Sequence, residues 1–283
     1  MTFTKFKESE KSNSPHYLLI GNPVSHSVSP LMHNTAFKHH EIEAEYHAVA
    51  VAMSEIPSLA AHFNNPNFLG ANITIPHKEN LLEVVDDLTV QAEEIGAINT
   101  ILKQNGKLIG ENTDAYGFAA PLEDYLVEID LDRAIVFGSG GATKAIIYAL
   151  KEIGVYEIVM VSRRPEKYSD AGNIISVSYD DWPEYAEESS LIINATPLGM
   201  FPNTAASPIK DIERELLTGK LCYDIVYNPK ETEFLKQAIS AGGIPIGGID
   251  MLIYQGAKSF KLWTGKEFPV GLIKMKLDEI FPY

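Results

Sequence analysis

What this 283-residue chain lacks narrows the reading before anything it contains. It has one cysteine, Cys222, in the run 221–226, so no disulfide can form within the chain; a buried core thiol in a reducing compartment is the plain reading. All eight histidines lie within the first 77 residues, and none stands in a cysteine-paired or His-Glu-x-x-His spacing, so no metal site is expected. No apolar run approaches the roughly 20 residues of a membrane span. Residues 1–15 also lack the apolar stretch of a secretory signal, so the sequence predicts a cytoplasmic protein with a loose polar tail. Positive charge is scarce as well: 23 Lys and Arg against 38 Asp and Glu leave a net charge of -15. That balance argues against a nucleic-acid partner, though a few local cations could still hold a small anion.

What is present is ordinary for a soluble globular protein, with 45% apolar and 22% charged residues. The length suits two domains of about 150 residues with a cleft between them. A strand over 17–20 ends at Gly21, and a polar loop leads into a helix over 30–40 with Ser29 as its N-cap. Ser27 and Ser29 beside that helix start could seat a carboxylate. A strand over 45–51, a helix over 54–64 and a strand over 70–74 complete a β-α-β-α-β order. Pro76 reads as the first residue of a helix running on to 88, which puts Lys78 in its first turn. A cation there is disfavoured by a few tenths to about 1 kcal/mol, and a local rule broken at one residue points to function. A solvated surface lysine beside Glu79 is the competing reading. A short helix over 90–95 follows, then a hairpin of 99–103 and 107–110 turning at Asn105-Gly106. A helix over 114–127, with Thr113 as N-cap and Asp114 as first-turn acid, would account for Asp114 without any function.

The second half carries the most specific local pattern. A strand over 133–137, the turn Gly138-Ser139-Gly140-Gly141-Ala142-Thr143, a helix over 144–153 and a strand over 157–161 form the βαβ unit that a dinucleotide needs. Gly138 permits the tight turn, Gly140 lets backbone approach a pyrophosphate, and Thr143 replaces the usual third glycine. After the second strand come Ser162, Arg163 and Arg164, with no carboxylate until Glu166. Guanidinium groups suit a 2′-phosphate, so NADP is preferred to NAD, unless both arginines are merely exposed loop residues. Two further strands begin at 191 and 221. Their polar ends would turn Asn194, Thr196, Tyr227 and Asn228 toward a cofactor. A helix over 231–241, a turn over 247–250 and a helix over 251–263 close the chain.

The ordered set Gly21-Asn-Pro-Val-Ser-His-Ser-Val-Ser-Pro30, Gly70-Ala-Asn-Ile-Thr-Ile-Pro-His-Lys78, Gly96-Ala-Ile-Asn-Thr100, Asn112-Thr-Asp114, Gly138-Ser-Gly-Gly-Ala142, Asn194-Ala-Thr196, Tyr223-Asp-Ile-Val-Tyr-Asn-Pro229 and Gly247-Gly-Ile-Asp-Met-Leu252 through Gln255 resembles the shikimate dehydrogenase family, which includes quinate-using relatives. The resemblance implies an α/β fold: a substrate domain of residues 1–114 and 249–283, with the C-terminal helices returning to it, and a Rossmann-type doubly wound parallel-sheet NADP domain of 115–248. It implies reversible reduction of 3-dehydroshikimate to shikimate, in aromatic amino-acid biosynthesis, with NADP as cofactor, a small-molecule substrate and room for a homodimer. By motif, Lys78 and Asp114 would be the catalytic pair. Ser27, Ser29, Thr74, Asn99, Asp114, Tyr227 and Gln255 would bind substrate, and Asn72 would face it too. Residues Gly138, Ser139, Gly140, Gly141, Ala142, Thr143, Ser162, Arg163, Arg164, Asn194, Thr196 and Gly248 would hold NADP. The family often has Asn-Arg-Thr where this chain has Ser162-Arg163-Arg164, so either arginine is a candidate for the 2′-phosphate. Quinate or an aminoshikimate-type substrate, or a non-catalytic sensing module, are the alternatives.

Overall fold

The computed structural model describes the chain except residues 128–129, 169–171 and 282–283. It divides into two compact units, one of residues 1–113 with 255–276, the other of 114–254 with the residues from 277 on. Each unit has its own six-stranded sheet. Among the described residues, no helix is long and apolar enough to cross a membrane.

The first sheet contains β1 (His16–Gly21), β2 (Glu45–Ala50), β3 (Phe68–Ile73), β4 (Asp87–Leu88), β5 (Thr100–Gln104) and β6 (Lys107–Glu111), in the order β2-β1-β3-β5-β6-β4. β1 lies parallel to β2 and β3, while β5 runs antiparallel to both β3 and β6. Every residue of β1 is buried, as a central strand covered on both faces requires. The register pairs Ile20 with Ile73, Asn72 with Thr100 and Thr100 with Glu111. The ends of β1 and β3, the start of β5 and the end of β6 therefore share one end of the sheet. The predicted hairpin turn is present, with Asn105 at φ 53° and Gly106 at φ 80°.

The first unit corrects three expectations. Residues 1–15 are no loose tail: α1 (Phe3–Lys7) buries Phe3 and Phe6 in the core with Leu18, Ile20, Val49 and Ile73. Two aromatic residues three apart fall on one helix face, and burying each is worth roughly 1.5–3 kcal/mol. Thr2 also bridges to Ala50, whose N–H donates to Met1 O at 2.8 Å. Beside it on the outer edge of β2, Asn34 accepts from Tyr46 N at 2.8 Å and donates to Tyr46 O at 3.0 Å. In α2 (Ser29–His39), Ser29 is the first helical residue and Val28 the cap, because the Ser29 hydroxyl is taken by Ser27. No helix starts at Pro76: residues 75–81 form turns, followed by a 3-10 turn over Leu82–Val84. Distant and side-chain partners claim this stretch, with Asn80 Nδ2 on Pro76 O at 2.8 Å and Ile98 N on Lys78 O at 2.9 Å. The helix-dipole reason for singling out Lys78 falls with that helix. The remaining helices here are α3 (Ile56–His62) and α4 (Val90–Ile95), the latter capped by Thr89 Oγ1 and ended by Gly96 at φ 67°.

The second unit begins with α5 (Asp114–Ala119), which ends well short of the predicted 127 because Pro121 has no N–H to continue it. Then come β7 (Arg133–Phe137), α6 (Gly141–Glu152), β8 (Glu157–Val161), β9 (Ile174–Val177), α7 (Pro183–Ala186), β10 (Leu191–Asn194), β11 (Leu221–Asp224), α8 (Glu233–Ser240) and β12 (Ile244–Ile246). All strands are parallel, in the order β12-β11-β10-β7-β8-β9. The order reverses between β7 and β10, which is the switch point of a doubly wound sheet. Helix α6 starts at Gly141, three residues before the predicted start. Ile135, Phe137, Val159, Ile192 and Trp182 form the core with Cys222, whose thiol burial pushes up to about 12. The last helices are α9 (Gly248–Thr264), which absorbs the predicted turn over 247–250, and α10 (Val270–Ile280).

Candidate functional site

At the shared end of the first sheet, Thr74 N donates to Ile20 O at 2.8 Å and Asn22 N to Ile75 O at 2.9 Å, which ties the segment after β3 to the loop after β1. Gly21 has no room for more than hydrogen: a Cβ there would lie 2.3 Å from Thr74 Cγ2 and 2.9 Å from Ile75 O. Along the same loop, Ser29 N donates to Ser27 Oγ at 3.2 Å, and the two hydroxyl oxygens are 3.2 Å apart. Ser27 is half-buried and Ser29 buried, so the pair offers short donors at the first turn of α2, an 11-residue helix.

Asn99 is the hub of this end. Its Oδ1 accepts from Thr113 N at 2.7 Å and Thr100 Oγ1 at 2.9 Å, and its Nδ2 donates to Thr113 Oγ1 at 2.9 Å and to Gln255 Oε1 at 3.4 Å. Lys78, half-buried, is held through its carbonyl to Ile98, the residue before Asn99. Asp114, buried, directly follows Thr113. Both proposed catalytic residues are thus tied by backbone to positions next to Asn99. Asn72 stands behind it: Tyr46 OH donates to its Oδ1 at 2.8 Å, and its Nδ2 reaches Thr100 Oγ1 at 3.1 Å and Ser259 Oγ at 3.0 Å. With both ends of its amide engaged inside the protein, Asn72 braces Asn99. The sequence reading passed over Tyr46, Thr100 and Ser259; for Ser259 the signal was its place one helical turn after Gln255.

His16, His33, His47, His62 and His77 are buried in the packing of this unit. His33 is wholly buried, stacked 4.5 Å from the Tyr46 ring, and burial drives its pKa down to about 3. His77 Nε2 meets Val51 O at 2.8 Å.

In the second unit the glycine turn between β7 and α6 leaves the start of a 12-residue helix without a side-chain cap. Gly138 has φ 119°, a value that L side chains rarely adopt. A Cβ on Gly140, the N-cap, would meet nothing within 4 Å, so the start of the helix borders open space. Thr143 Oγ1 is buried with no protein partner, and Ser139 accepts from Ser162 Oγ at 3.5 Å. Arg163 and Arg164 are exposed just past β8, and Ser162 Oγ accepts from Arg164 N at 3.2 Å. An uncapped helix start, a hydroxyl without a protein partner and two exposed guanidinium groups with no ion pair among the described residues fit a dinucleotide that ends in a 2′-phosphate.

Past β10, Asn194 Oδ1 accepts from Thr196 N at 3.0 Å and Thr196 Oγ1 at 2.6 Å, while its Nδ2 donates to Asp224 Oδ1 at 3.1 Å. Asp224 is buried at the end of β11 and also accepts from Thr232 Oγ1 at 2.6 Å and Val226 N at 2.9 Å. Burial outweighs these donors and raises its pKa to about 6. Tyr227 is half-buried, its ring 6.3 Å from that of Phe281. Gly248 has a packing reason of its own, since a Cβ would lie 2.3 Å from Ile225 O.

Comparison with known proteins places these two arrangements in one lineage. Residues 19–101 match the family model described as shikimate dehydrogenase substrate binding domain, and residues 248–277 match that of the shikimate 5'-dehydrogenase C-terminal domain. The shikimate dehydrogenase (NADP(+)) of Salinibacter ruber is 36% identical over 89% of this chain and 92% of its own. Among solved structures, the Thermus thermophilus shikimate 5-dehydrogenase in complex with NADP(H) and shikimate superposes with a TM-score of 0.82 at 32% identity, covering 93% of this chain and 98% of that one. Quinate dehydrogenase from Corynebacterium glutamicum in complex with NAD gives a TM-score of 0.85 at 28% identity over 94% and 99%. With a substrate-domain match over residues 19–101, a doubly wound sheet in its second unit and relatives aligned almost end to end, this chain belongs to the shikimate dehydrogenase family.

Proposed function

We propose that this protein catalyses the reversible, NADP-linked reduction of 3-dehydroshikimate to shikimate. The first unit, 1–113 with 255–276, holds the ring and its carboxylate; the second, from 114 to 254, holds the cofactor. The observation that carries the reading is the gathering of Ser27, Ser29, Thr74, Lys78 and Asn99 at one end of the first sheet, with Gln255 on Asn99. Ser27 and Ser29 bind the carboxylate. Thr74, Asn99, Asp114 and Gln255 meet the ring hydroxyls, and Tyr227 lies against the substrate. Gly138 to Thr143, Asn194, Thr196 and Gly248 cradle the dinucleotide, with Arg163 or Arg164 on the 2′-phosphate beside Ser162.

When bound, NADPH supplies the hydride to the carbonyl carbon. Negative charge then develops on the carbonyl oxygen, where the Lys78 ammonium stabilises it and delivers the proton. Asp114 holds the adjoining hydroxyl and keeps Lys78 aimed. In the reverse direction neutral Lys78 takes the hydroxyl proton.

Lys78→Ala and Asp114→Asn test the pairing. Lys78→Ala should lower kcat by about 10²–10⁴ while shikimate still binds, and turnover close to wild type in that variant would sink the assignment. Initial rates with shikimate and quinate, each with NADP and NAD, separate this reading from the quinate one suggested by the Corynebacterium glutamicum neighbour. Ligand binding without any nicotinamide turnover would instead indicate a sensing module.

A further inference from the structure

Resting on the reading just given for the first unit, we infer that Ser259 is a positioning residue for the substrate: its hydroxyl fixes the turn of α9 that presents Gln255 to Asn99. Ser259 is wholly buried, and Gln255 lies one helical turn before it. Ser259 Oγ donates to Gln255 O at 3.1 Å and stands 3.0 Å from Asn72 Nδ2, 2.8 Å from Thr100 Oγ1 and 3.1 Å from Thr113 Oγ1. One hydroxyl therefore ties α9 to β3, to β5 and to the segment leading out of β6.

The hydrogens can be accounted for one by one. A serine hydroxyl has one hydrogen and two lone pairs. Its hydrogen goes to Gln255 O, so Oγ accepts one N–H from Asn72 and one O–H from a threonine. The other threonine donates to Asn99 Oδ1, which lies 2.9 Å from Thr100 Oγ1 and 3.2 Å from Thr113 Oγ1. Asn99 Oδ1 also takes Thr113 N–H at 2.7 Å, and its Nδ2 reaches Thr113 Oγ1 at 2.9 Å and Gln255 Oε1 at 3.4 Å. Tyr46 OH on Asn72 Oδ1 at 2.8 Å decides which end of the Asn72 amide faces Ser259. In this arrangement Ser259 is a double acceptor, and such a network acts cooperatively.

Removing Oγ takes away one of the three acceptors around Asn72 Nδ2, leaving Asn99 O at 3.2 Å and Thr100 Oγ1 at 3.1 Å, and pushes both threonine hydroxyls onto Asn99 Oδ1. It also releases the only side-chain tie between α9 and Asn72 among the described hydrogen bonds. Both changes bear on how Asn99 and Gln255 face the ring, and neither touches the glycine turn of the second unit. A positioning role therefore predicts a split between substrate and cofactor that general loosening of the fold would not produce.

The test is Ser259→Ala in the full chain, with steady-state kinetics for shikimate and NADP and direct shikimate binding. The expected result is a rise of roughly tenfold in KM for shikimate with KM for NADP within roughly twofold, in a protein that still melts cooperatively. An unchanged KM for shikimate, or equal rises for both ligands, overturns the inference. Wild-type protein that neither binds nor oxidises shikimate overturns both it and the reading beneath it. If Ser259→Ala does not fold, Ser259→Cys, which puts a weak S–H donor and acceptor in place of the hydroxyl, must show the same split; a uniform effect or none overturns the inference.

Discussion

His16 and His62 face one another Nε2 to Nε2 at 3.0 Å, and the His16 Nδ1 hydrogen is spent on Ser14 O at 2.8 Å. With both rings neutral, His62 donates the hydrogen between them. Burial lowers both pKa values, that of His62 to about 4, and burial takes His33 to about 3. The unfolded rings titrate near 6.5, so below that pH the unfolded chain binds protons that the folded chain refuses. Stability should fall as pH drops from 6.5 toward 4, with His33 by itself contributing a loss of about 2 kcal/mol at pH 5. Urea unfolding at pH 7.5 and 5.0 measures the slope, and His33→Phe should flatten it; an unchanged slope would contradict the assignment.

Asp224 works in the opposite sense. Its pKa is raised to about 6 by burial, so between about 3.8 and 6 the folded state holds a proton that the unfolded state has lost. That contribution to stability is present at low pH and is lost as pH rises through 6. Asp224→Ala should remove the anchor of Asn194 and leave Thr232 and Val226 donors unmatched, costing about 1–3 kcal/mol. We expect it to raise KM for NADP and leave KM for shikimate near wild type. Paired cofactor and substrate titrations check the split.

The N-terminal helix is a structural member of the first unit. Phe6 is wholly buried, with its ring 5.1 Å from that of His16 and 5.8 Å from that of His62. Phe6→Ala should destabilise by about 3–5 kcal/mol. Urea melts give the number, and kcat of the folded fraction should be unaltered.

Gly21→Ala should act on substrate through Thr74, because the added methyl would overlap Thr74 Cγ2 and press on Ile75 O. Overpacking of this kind costs roughly 1–3 kcal/mol. KM for shikimate should rise, and a normal KM would show that Thr74 is not held by this contact.

Arg163→Ala and Arg164→Ala address the 2′-phosphate. Only the arginine that meets it should lose roughly tenfold in kcat/KM with NADP while keeping its rate with NAD. Burial raises the Tyr179 pKa, and the charge of Arg163 works against that rise. If neither variant shifts the NADP to NAD ratio, the exposed-loop reading of both residues is the correct one.

The legible parts of the sequence were those where short-range chemistry decides structure. Asn105-Gly106 announced its hairpin, and the glycines after β7 announced the turn because positive φ and an open N-cap leave few residue choices. The illegible parts were settled by partners far along the chain. Pro76 looked like a helix start, but Ile98 claims the Lys78 carbonyl and Asn80 claims that of Pro76. The first fifteen residues looked polar by composition, and two phenylalanines sufficed to dock them. β9 and β12, of four and three residues, are too short for periodicity to reveal. At the site, Ser27, Ser29 and Asn99 were visible in motifs, whereas Ser259 and Asp224 act through hydrogen bonds to residues 187 and 30 positions away.

The treatment of sheet edges has a bearing on how this protein behaves when concentrated. An exposed strand edge invites pairing by any passing chain. On β2 that invitation is withdrawn by the Asn34 amide on Tyr46 and by Met1 O on Ala50 N, and the opposite edge, β4, is only two residues long. In the second sheet, β12 carries Pro245, which has no N–H to offer. Loss of the first few residues would uncover donors and acceptors along β2, making that edge the place where self-association and fibril-like misassembly begin.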